Sequence, residues 1–232
     1  MSDVPLAYQL GSRLFCGHEL FVAPGALVPR EETELLARAA IEVAAALGPA
    51  PRVIDMCTGS GNLAVTIALA CPGASVWASD LTDGGVAVAR RNVERFALGG
   101  RVRVLQGDLF APLAGLALEG SIDVIVCNPP YISSGRLGRD RAELLLHEPR
   151  EAFDGGPYGL TIHQRVVREA LPFLRPGGWL LFEFGAGQER QLERLFSKGP
   201  YHDLTFRSNA AAEPRVALAR HDGRAAPGDP PR

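Results

Sequence analysis

The amino-acid sequence predicts an α/β protein with a doubly wound, mostly parallel β-sheet. Between residues 52 and 220, short apolar segments alternate with longer amphipathic ones, the pattern of strands joined by crossover helices. Acidic residues lie at the ends of the first apolar segments, and glycines follow the first of them. Ligands bind beyond the carboxyl ends of such strands, so these residues mark a candidate site.

The elements follow from the spacing of apolar residues. Residues 13–23 alternate around Gly17 and His18 and predict a β-hairpin, and residues 31–47 predict an amphipathic helix that begins with acidic residues. Six strands are then predicted, at 52–57, 74–80, 101–108, 122–127, 177–185 and 213–220. Further helices are predicted at 62–70, 84–98, 159–174 and 188–196, with a long loop after residue 127.

Composition and charge narrow the class of protein. The chain has 232 residues, 47% hydrophobic and 22% charged, as in ordinary globular domains. A net charge of −2 gives no basic footprint for nucleic acid. The sequence shows no signal peptide or membrane-spanning segment, and its four cysteines lack metal-ligand or redox spacing. We therefore expect a cytoplasmic protein without a metal, a nucleic-acid partner or a membrane partner.

Three regions are predicted along the chain. Residues 1–30 form an N-terminal arm with the β-hairpin, and residues 31–220 form the α/β domain. Residues 221–232 are rich in proline and glycine, so we expect a disordered tail.

A glycine-rich turn follows the first strand of the repeat. In "VIDMCTGSGNLAV", Gly59 and Gly61 lie between strand and helix, where a ligand approaches the backbone and helix amides favour an anionic group. The turn is not a Walker loop, and Ala64 stands where a Rossmann fingerprint has its third glycine. Alone, the motif is a weak signal, because some such matches are only tight turns.

Three carboxylates lie at or near consecutive strand ends. Asp55 is within an apolar strand, where it either bonds loop amides or contacts a ligand. Asp80 stands where a carboxylate accepts both ribose hydroxyls of an adenosine, and Asp108 could meet an adenine edge. Each alone could be a turn residue. Together they indicate a pocket for an adenosine without a polyphosphate.

The strand at 122–127 ends in Asn128, Pro129, Pro130 and Tyr131. Proline cannot donate to a strand ladder, so the strand must stop there. One reading is simply a stiff turn. The other is that Asn128 presents its amide to the pocket.

These motifs together resemble the class I S-adenosylmethionine methyltransferases, and more closely the HemK-type protein-glutamine N-methyltransferases, which modify the Gly-Gly-Gln motif of peptide release factors. The resemblance runs from "PLAYQLG" to about "EFGAGQ" and includes "FVAPGALVPREETELL", "DMCTGSG", "GDLF", "NPPYI" and "HEPREAFDGGPYGL". Asn-Pro-Pro-Tyr alone is shared with adenine methyltransferases of DNA. The resemblance implies a seven-stranded Rossmann-like sheet and S-adenosylmethionine as the cofactor.

The resemblance also implies roles for individual residues. Asn128 and the carbonyl of Pro129 would accept hydrogen bonds from the NH₂ group of the acceptor, and Tyr131 would offer its ring face. This gives Asn128, Pro129 and Tyr131 as catalytic residues, with Pro130 added for substrate binding. The predicted cofactor contacts are Asp55, Cys57, Thr58, Gly59, Ser60, Gly61, Asp80, Leu81, Asp108, Leu109 and Asn128.

Other polar residues receive lesser roles. His147 and Glu148 are read as shaping a pocket loop rather than as an acid/base pair, and His163 is read as structural. Glu183 ends an apolar strand, where it could bond a neighbouring loop.

The chain also departs from the family. The match begins at residue 5, so the family's helical N-terminal domain is expected to be absent, and Glu31 and Tyr158 replace a usual proline and aspartate. The expected acceptor is a protein glutamine, as in a release factor, and the alternative is a small guanidine or amide molecule such as free arginine. A nucleic-acid adenine methyltransferase and an inactive cofactor-binding scaffold are less favoured.

Overall fold

The computed structural model describes residues 4–140 and 145–223, and a sheet of seven strands lies at its centre. The described strands are β1 Ser12–Phe15, β2 His18–Phe21, β3 Arg52–Met56, β4 Ser75–Asp80, β5 Val102–Gln106, β6 Ile122–Cys127, β7 Leu174–Glu183, β8 Tyr201–Ser208 and β9 Pro214–His221. The described α-helices are α1 Leu6–Leu10, α2 Thr33–Ala46, α3 Asn62–Ala70, α4 Asp83–Arg95, α5 Ser134–Asp140, α6 Thr161–Glu169 and α7 Glu189–Phe196.

The strand order in the large sheet is β5-β4-β3-β6-β7-β9-β8. Strands β3 to β7 pair in parallel, and β9 runs antiparallel to both β7 and β8. The chain proceeds from β3 outward to β5 and then returns to β6 on the other side of β3. This reversal opens a crevice at the carboxyl ends of β3 and β6, where open α/β sheets bind ligands.

Both faces of the sheet are buried, so its parallel strands are almost continuously apolar. Successive strand residues such as Val53 and Ile54 belong to two different clusters of buried hydrophobic residues. One cluster packs α2, α3 and α4 against the sheet together with Phe15 and Leu20 of the hairpin. The other contains Val166 of α6 and residues of α7. The hairpin is thus anchored to the domain by its own apolar side chains.

The structure confirms the predicted class of fold, the hairpin and the alternation of strands and helices. Helix α6 is shorter than predicted, because the chain turns at Ala170 and enters β7 early, at Leu174. Strand β8 is not among the strands predicted from the sequence. None of its residues is fully buried, so the segment lacks the apolar run that would have indicated a strand. The predicted long loop contains α5.

The structure also bears on two further expectations, the disordered C-terminal tail and the absence of a membrane-spanning segment. Strand β9 extends to His221, one residue into the segment expected to be disordered, while residues 224–232 lie outside the described part. No helix in the described ranges is long and apolar enough to span a membrane.

Candidate active site

A cleft of about 940 Å³, open to solvent, lies at the carboxyl ends of the central strands. The loops after β3, β4, β5 and β6 form its floor, and residues 25–30 and 149–152 contribute further walls. Of the predicted site residues, the cleft is lined by Cys57, Thr58, Gly59, Ser60, Asp80, Leu81, Asp108, Leu109, Asn128 and Pro130. Asp55, Gly61, Pro129 and Tyr131 do not line it.

The turn after β3 has a backbone that favours glycine. Gly59 and Gly61 have φ values of 53° and 77°, in the left-handed region. A Cβ on Gly61 would lie 3.2 Å from the Cα of Ala89, so this position also lets α3 and α4 pack closely. The first turn of α3 is thereby held at the edge of the cleft.

Asp55 holds this turn in place through hydrogen bonds to its residues. Its Oδ2 accepts hydrogen bonds from the Thr58 hydroxyl at 2.6 Å and from the Ala64 backbone N–H at 3.0 Å. The side chain is completely buried, and this burial raises the pKa of Asp55 to about 7. Asp55 therefore bonds and shapes the loop, which is the first of the two roles predicted for this residue.

Asp80 lines the cleft at the end of β4. Its Oδ2 accepts from the Gly59 N–H at 2.8 Å, and its Oδ1 accepts from the N–H and hydroxyl of Thr82. A Cβ on Gly85 would lie 2.7 Å from Oδ1, so a larger residue would displace the carboxylate. Oδ1 thus already accepts two hydrogen bonds, whereas Oδ2 accepts one and keeps a lone pair for a ligand hydroxyl.

The outer wall of the cleft is partly apolar. Leu81 is 55% exposed at the rim, and Leu109 is buried with a φ of 46°. Asp108 follows β5 and pairs with Arg165 of α6, Oδ1 to Nη1 at 2.9 Å. An adenine here would therefore contact two leucines beside a paired carboxylate.

Of the four residues after β6, two line the cleft and two do not. Asn128 and Pro130 face the cleft, and the Asn128 Nδ2 donates to the Thr33 hydroxyl at 3.0 Å. Pro129 is buried, and the Tyr131 hydroxyl donates to Glu183 Oε1 at 3.0 Å. Glu183 thus bonds a neighbouring loop, as predicted, whereas the Tyr131 ring stands behind the cleft wall.

Glu148 connects the two loops that flank the cleft. Its Oε1 accepts from the Val28 N–H at 2.9 Å, and its Oε2 forms an ion pair with Arg30. The predicted role of Glu148 in shaping a pocket loop is confirmed. His163 is buried, bonds the Glu183 carbonyl and has a pKa lowered by burial to about 4, as suits a structural residue.

Several cleft residues were not predicted as site residues. Thr33, Arg30, Pro149, Glu151 and Ile162 line the cleft with the predicted set. Most stand in "VPREETELL" or "HEPREAFDGG", two segments that carry the family resemblance but whose local pattern indicates no role for these positions.

The two substituted family positions lie on the surface. Glu31 is exposed and Tyr158 is 85% exposed, and neither lines the cleft. Among residues 4–140 and 145–223, no cluster of three metal-ligating side chains occurs.

The cleft fits S-adenosylmethionine on physical grounds. Gly85 leaves room for the Asp80 carboxylate, Gly59 brings backbone to the cleft, and leucines offer an apolar surface for a planar base. The sheet order and this strand-end site define a class I S-adenosylmethionine-dependent methyltransferase.

Comparisons with known proteins agree with this class. The family model "Methyltransferase small domain" matches residues 33–158. The N-terminal domain of human METTL16 in complex with SAH has the same fold, with a TM-score of 0.61 and 18% identity over 93% of this chain and 78% of that one.

Sequence relatives identify the family. The release factor glutamine methyltransferase of Geobacter sulfurreducens is 39% identical over 86% of this chain and 67% of its own length. The 4-amino-L-phenylalanine/4-methylamino-L-phenylalanine methyltransferase of Streptomyces pristinaespiralis is 40% identical over 83% of this chain and 65% of its own length. The chain thus spans about two thirds of each, and it belongs to the release factor glutamine methyltransferase family.

Proposed function

We propose that this protein methylates the side-chain amide nitrogen of a glutamine in a protein, with the Gly-Gly-Gln segment of a peptide release factor as the first candidate acceptor. The similarity to release factor glutamine methyltransferases supports this substrate class. One structural observation carries the proposal, namely the orientation of the Asn128 amide at the cleft.

Because Nδ2 of Asn128 donates to Thr33, its Oδ1 is left for the cleft. Within the described part of the chain, no hydrogen bond to this oxygen is made. An acceptor NH₂ group can donate to it. The proposal therefore requires a nitrogen that carries a hydrogen to donate, as a glutamine amide does.

An amide nitrogen is a poor nucleophile because its lone pair is delocalised into the carbonyl. When bound, S-adenosylmethionine supplies an electrophilic methyl group on a positively charged sulfur. Oδ1 of Asn128 would hold the acceptor NH₂ in place and stabilise the positive charge that develops on the nitrogen, whereas Pro129 does not line the cleft and receives no such role. Asp80 would hold a ribose hydroxyl through Oδ2, Leu81 and Leu109 would pack against the adenine beside Asp108, and the turn at 57–61 would contact the remainder of the cofactor.

A second candidate function is N-methylation of a small molecule, and a specific comparison favours it. The Streptomyces pristinaespiralis relative, named for 4-amino-L-phenylalanine, is about as similar to this chain as the release factor enzymes are. Its named substrate also carries an NH₂ group on a planar system, which would suit the same Asn128 oxygen.

Methyl transfer from labelled S-adenosylmethionine distinguishes the two functions. The purified protein is offered a release factor, a Gly-Gly-Gln peptide, free glutamine, free arginine and 4-amino-L-phenylalanine in parallel. A release factor in which the motif is Gly-Gly-Ala is the matched control. We expect label in the release factor and none in the control, whereas label only in a free amino acid would overturn the protein substrate.

A further inference from the structure

Two cysteines that are far apart in the sequence lie side by side at the carboxyl ends of the central strands. Strand β3 ends at Met56 and strand β6 ends at Cys127, and these two residues are partners in the parallel pairing of the strands. Cys57 directly follows Met56. Neighbouring strands lie about 4.8 Å apart and each residue advances a strand by about 3.3 Å, so the Cα atoms of Cys57 and Cys127 are about 6 Å apart. A disulfide joins Cα atoms that are about 4.4–6.8 Å apart.

The backbone of Cys57 turns its side chain toward the face on which Cys127 lies. In a regular strand, successive side chains point to opposite faces, so Cys57 would point away from the face that Met56 and Cys127 share. Cys57 instead has a φ of 57°, about half a turn from that of a parallel strand, and this rotates its Cα–Cβ bond. Its side chain packs against the cluster of buried hydrophobic residues to which Met56 and Cys127 belong.

The two thiols differ in their access to the cleft. Cys127 is 0% exposed, and the pKa of its thiol lies well above the ordinary value, first through burial and then through the neighbouring Cys57 thiol. Cys57 is half-buried and lines the cleft. An oxidant that enters the cleft therefore reaches Cys57 first. Cysteines that are sensitive to oxidation are typically accessible and lie next to a second cysteine that can close a disulfide.

We propose that Cys57 and Cys127 form a site of oxidative modification, at which hydrogen peroxide closes a disulfide bond between the ends of β3 and β6. In the first step the Cys57 sulfur attacks the peroxide, an S–O bond forms as the O–O bond breaks, and one water leaves, so that Cys57 becomes a sulfenic acid. In the second step the Cys127 sulfur attacks the Cys57 sulfur, the S–O bond breaks, and the hydroxide leaves with the thiol proton as a second water. The two thiols lose two electrons in total, and the peroxide is reduced to two waters.

This bond changes the cofactor site because both cysteines adjoin residues that form it. Cys57 precedes Thr58, whose hydroxyl bonds Asp55, in the turn that lines the cleft. Cys127 precedes Asn128, which also lines the cleft. Two bonded sulfurs lie closer together than two thiols in contact, so the ends of both strands must shift when the disulfide closes. We therefore expect cofactor binding to be lost on oxidation and to return when a thiol reductant opens the bond.

The test treats the purified wild-type protein with hydrogen peroxide and then blocks the remaining thiols with iodoacetamide in urea. We expect mass spectrometry to find Cys127 linked to Cys57, with the loss of two hydrogen atoms. Trypsin leaves Cys57 and Cys71 in one peptide, so a digestion with chymotrypsin, which cleaves after Leu63 and Leu69, assigns the bond. Iodoacetamide label on Cys127 after this treatment, whatever the state of Cys57, would overturn the proposal.

The affinity for S-adenosylhomocysteine, measured by calorimetry, tests the consequence without any acceptor, so the result does not depend on the proposed function. We expect the disulfide to weaken this affinity about tenfold or more, the scale for losing one hydrogen bond to a charged group, and dithiothreitol to restore it. At about ten times its Kd, S-adenosylhomocysteine covers Cys57 in most molecules and should slow bond formation about tenfold. Unchanged affinity in protein that carries the bond would overturn the effect on the cofactor site, and an unchanged rate would overturn the route through the cleft.

Variants assign the bond to this pair of cysteines. After treatment with peroxide, Cys57→Ala and Cys127→Ala should each leave the remaining member of the pair without a disulfide. Cys16→Ala is the matched control, because Cys16 is also half-buried and has a φ of 47° but does not line the cleft. It should form the bond as fast as the wild type does. Should Cys127→Ala fold poorly, Cys57→Ala still decides the matter, since Cys57 is partly exposed. A bond from Cys127 to another cysteine in that variant, or loss of the bond in Cys16→Ala, would overturn the pairing.

Discussion

Asp80 and Gly59 are joined by a hydrogen bond of 2.8 Å, from the backbone N–H of the glycine to Oδ2 of the carboxylate. This bond connects the end of β4 to the turn after β3, across the floor of the cleft. The same carboxylate is accessible from the cleft. Asp80 is therefore placed both to order the turn after β3 and to accept a hydrogen bond from a ligand.

We expect Asp80→Ala to weaken binding of S-adenosylhomocysteine by about 1.5–3 kcal/mol, which corresponds to a factor of about 10–150 in Kd. The reason is the loss of a charged acceptor for a ligand hydroxyl, together with an unpaired Gly59 N–H. Calorimetry measures the change. Asp83→Ala is the matched control, since Asp83 begins α4, directly after the loop that follows Asp80, but does not line the cleft. Equal affinity in the two variants would remove Asp80 from the cofactor site.

We expect Asn128→Ala to lower kcat by about 10²–10³, the usual cost of deleting one preorganised polar group that stabilises a transition state. The affinity for S-adenosylhomocysteine should change much less, because the other cleft residues remain in place. Single-turnover methyl transfer and calorimetry together measure both effects. Asn209→Ala, in the turn between β8 and β9, is the surface control. A parallel loss of turnover and cofactor affinity would make Asn128 a cofactor or fold residue.

The sequence alone was sufficient for those parts of the site that are local in the chain. Gly59, Asp80 and Asn128 each lie at or just after the end of a recognisable apolar strand, so their position at the carboxyl ends of the sheet could be predicted from periodicity and topology. The exact ends of elements were less predictable, because α6 and β7 meet at a turn that tertiary packing decides.

The partners of these residues could not be predicted, because they lie far away in sequence. Thr33 is 95 residues from Asn128, and Val28 is 120 residues from Glu148. No local pattern reports which loop packs on which strand end. Tyr131 shows the same limit: its hydroxyl bonds Glu183, 52 residues away, and its ring does not line the cleft as its place in the motif had suggested.

We expect Glu148→Ala to destabilise the protein by about 2–4 kcal/mol, because it leaves the Val28 N–H and the Arg30 guanidinium without their acceptor in a largely buried place. The Glu148 side chain is 4% exposed and that of Arg30 is 36% exposed. Urea unfolding measures the loss. Glu42→Ala is the matched control, because Glu42 pairs with Arg207 at 68% and 50% exposure, where an ion pair contributes at most about 1 kcal/mol. Similar losses in both variants would show that the Glu148 pair does not hold the loops.

Asp55 gives the protein a pH-dependent stability of unusual sign. Burial raises its pKa in the folded chain from 3.8 to about 7, although Thr58 and Ala64 donate to it. Between about pH 4 and pH 7 the unfolded chain has lost this proton while the folded chain retains it. The contribution of Asp55 is therefore fully present below pH 4 and is lost as the pH rises toward 7.

We expect the free energy of unfolding of the wild type, relative to that of Asp55→Asn, to decrease as the pH rises from 4.5 to 7. Asparagine keeps an oxygen for Thr58 and Ala64 but has no proton to lose. Urea unfolding at several pH values measures the difference. His163, whose pKa burial lowers to about 4, acts in the opposite direction in this range, but it is present in both proteins and cancels. A difference that is constant across this range would mean that Asp55 is already ionised in the folded chain at acidic pH.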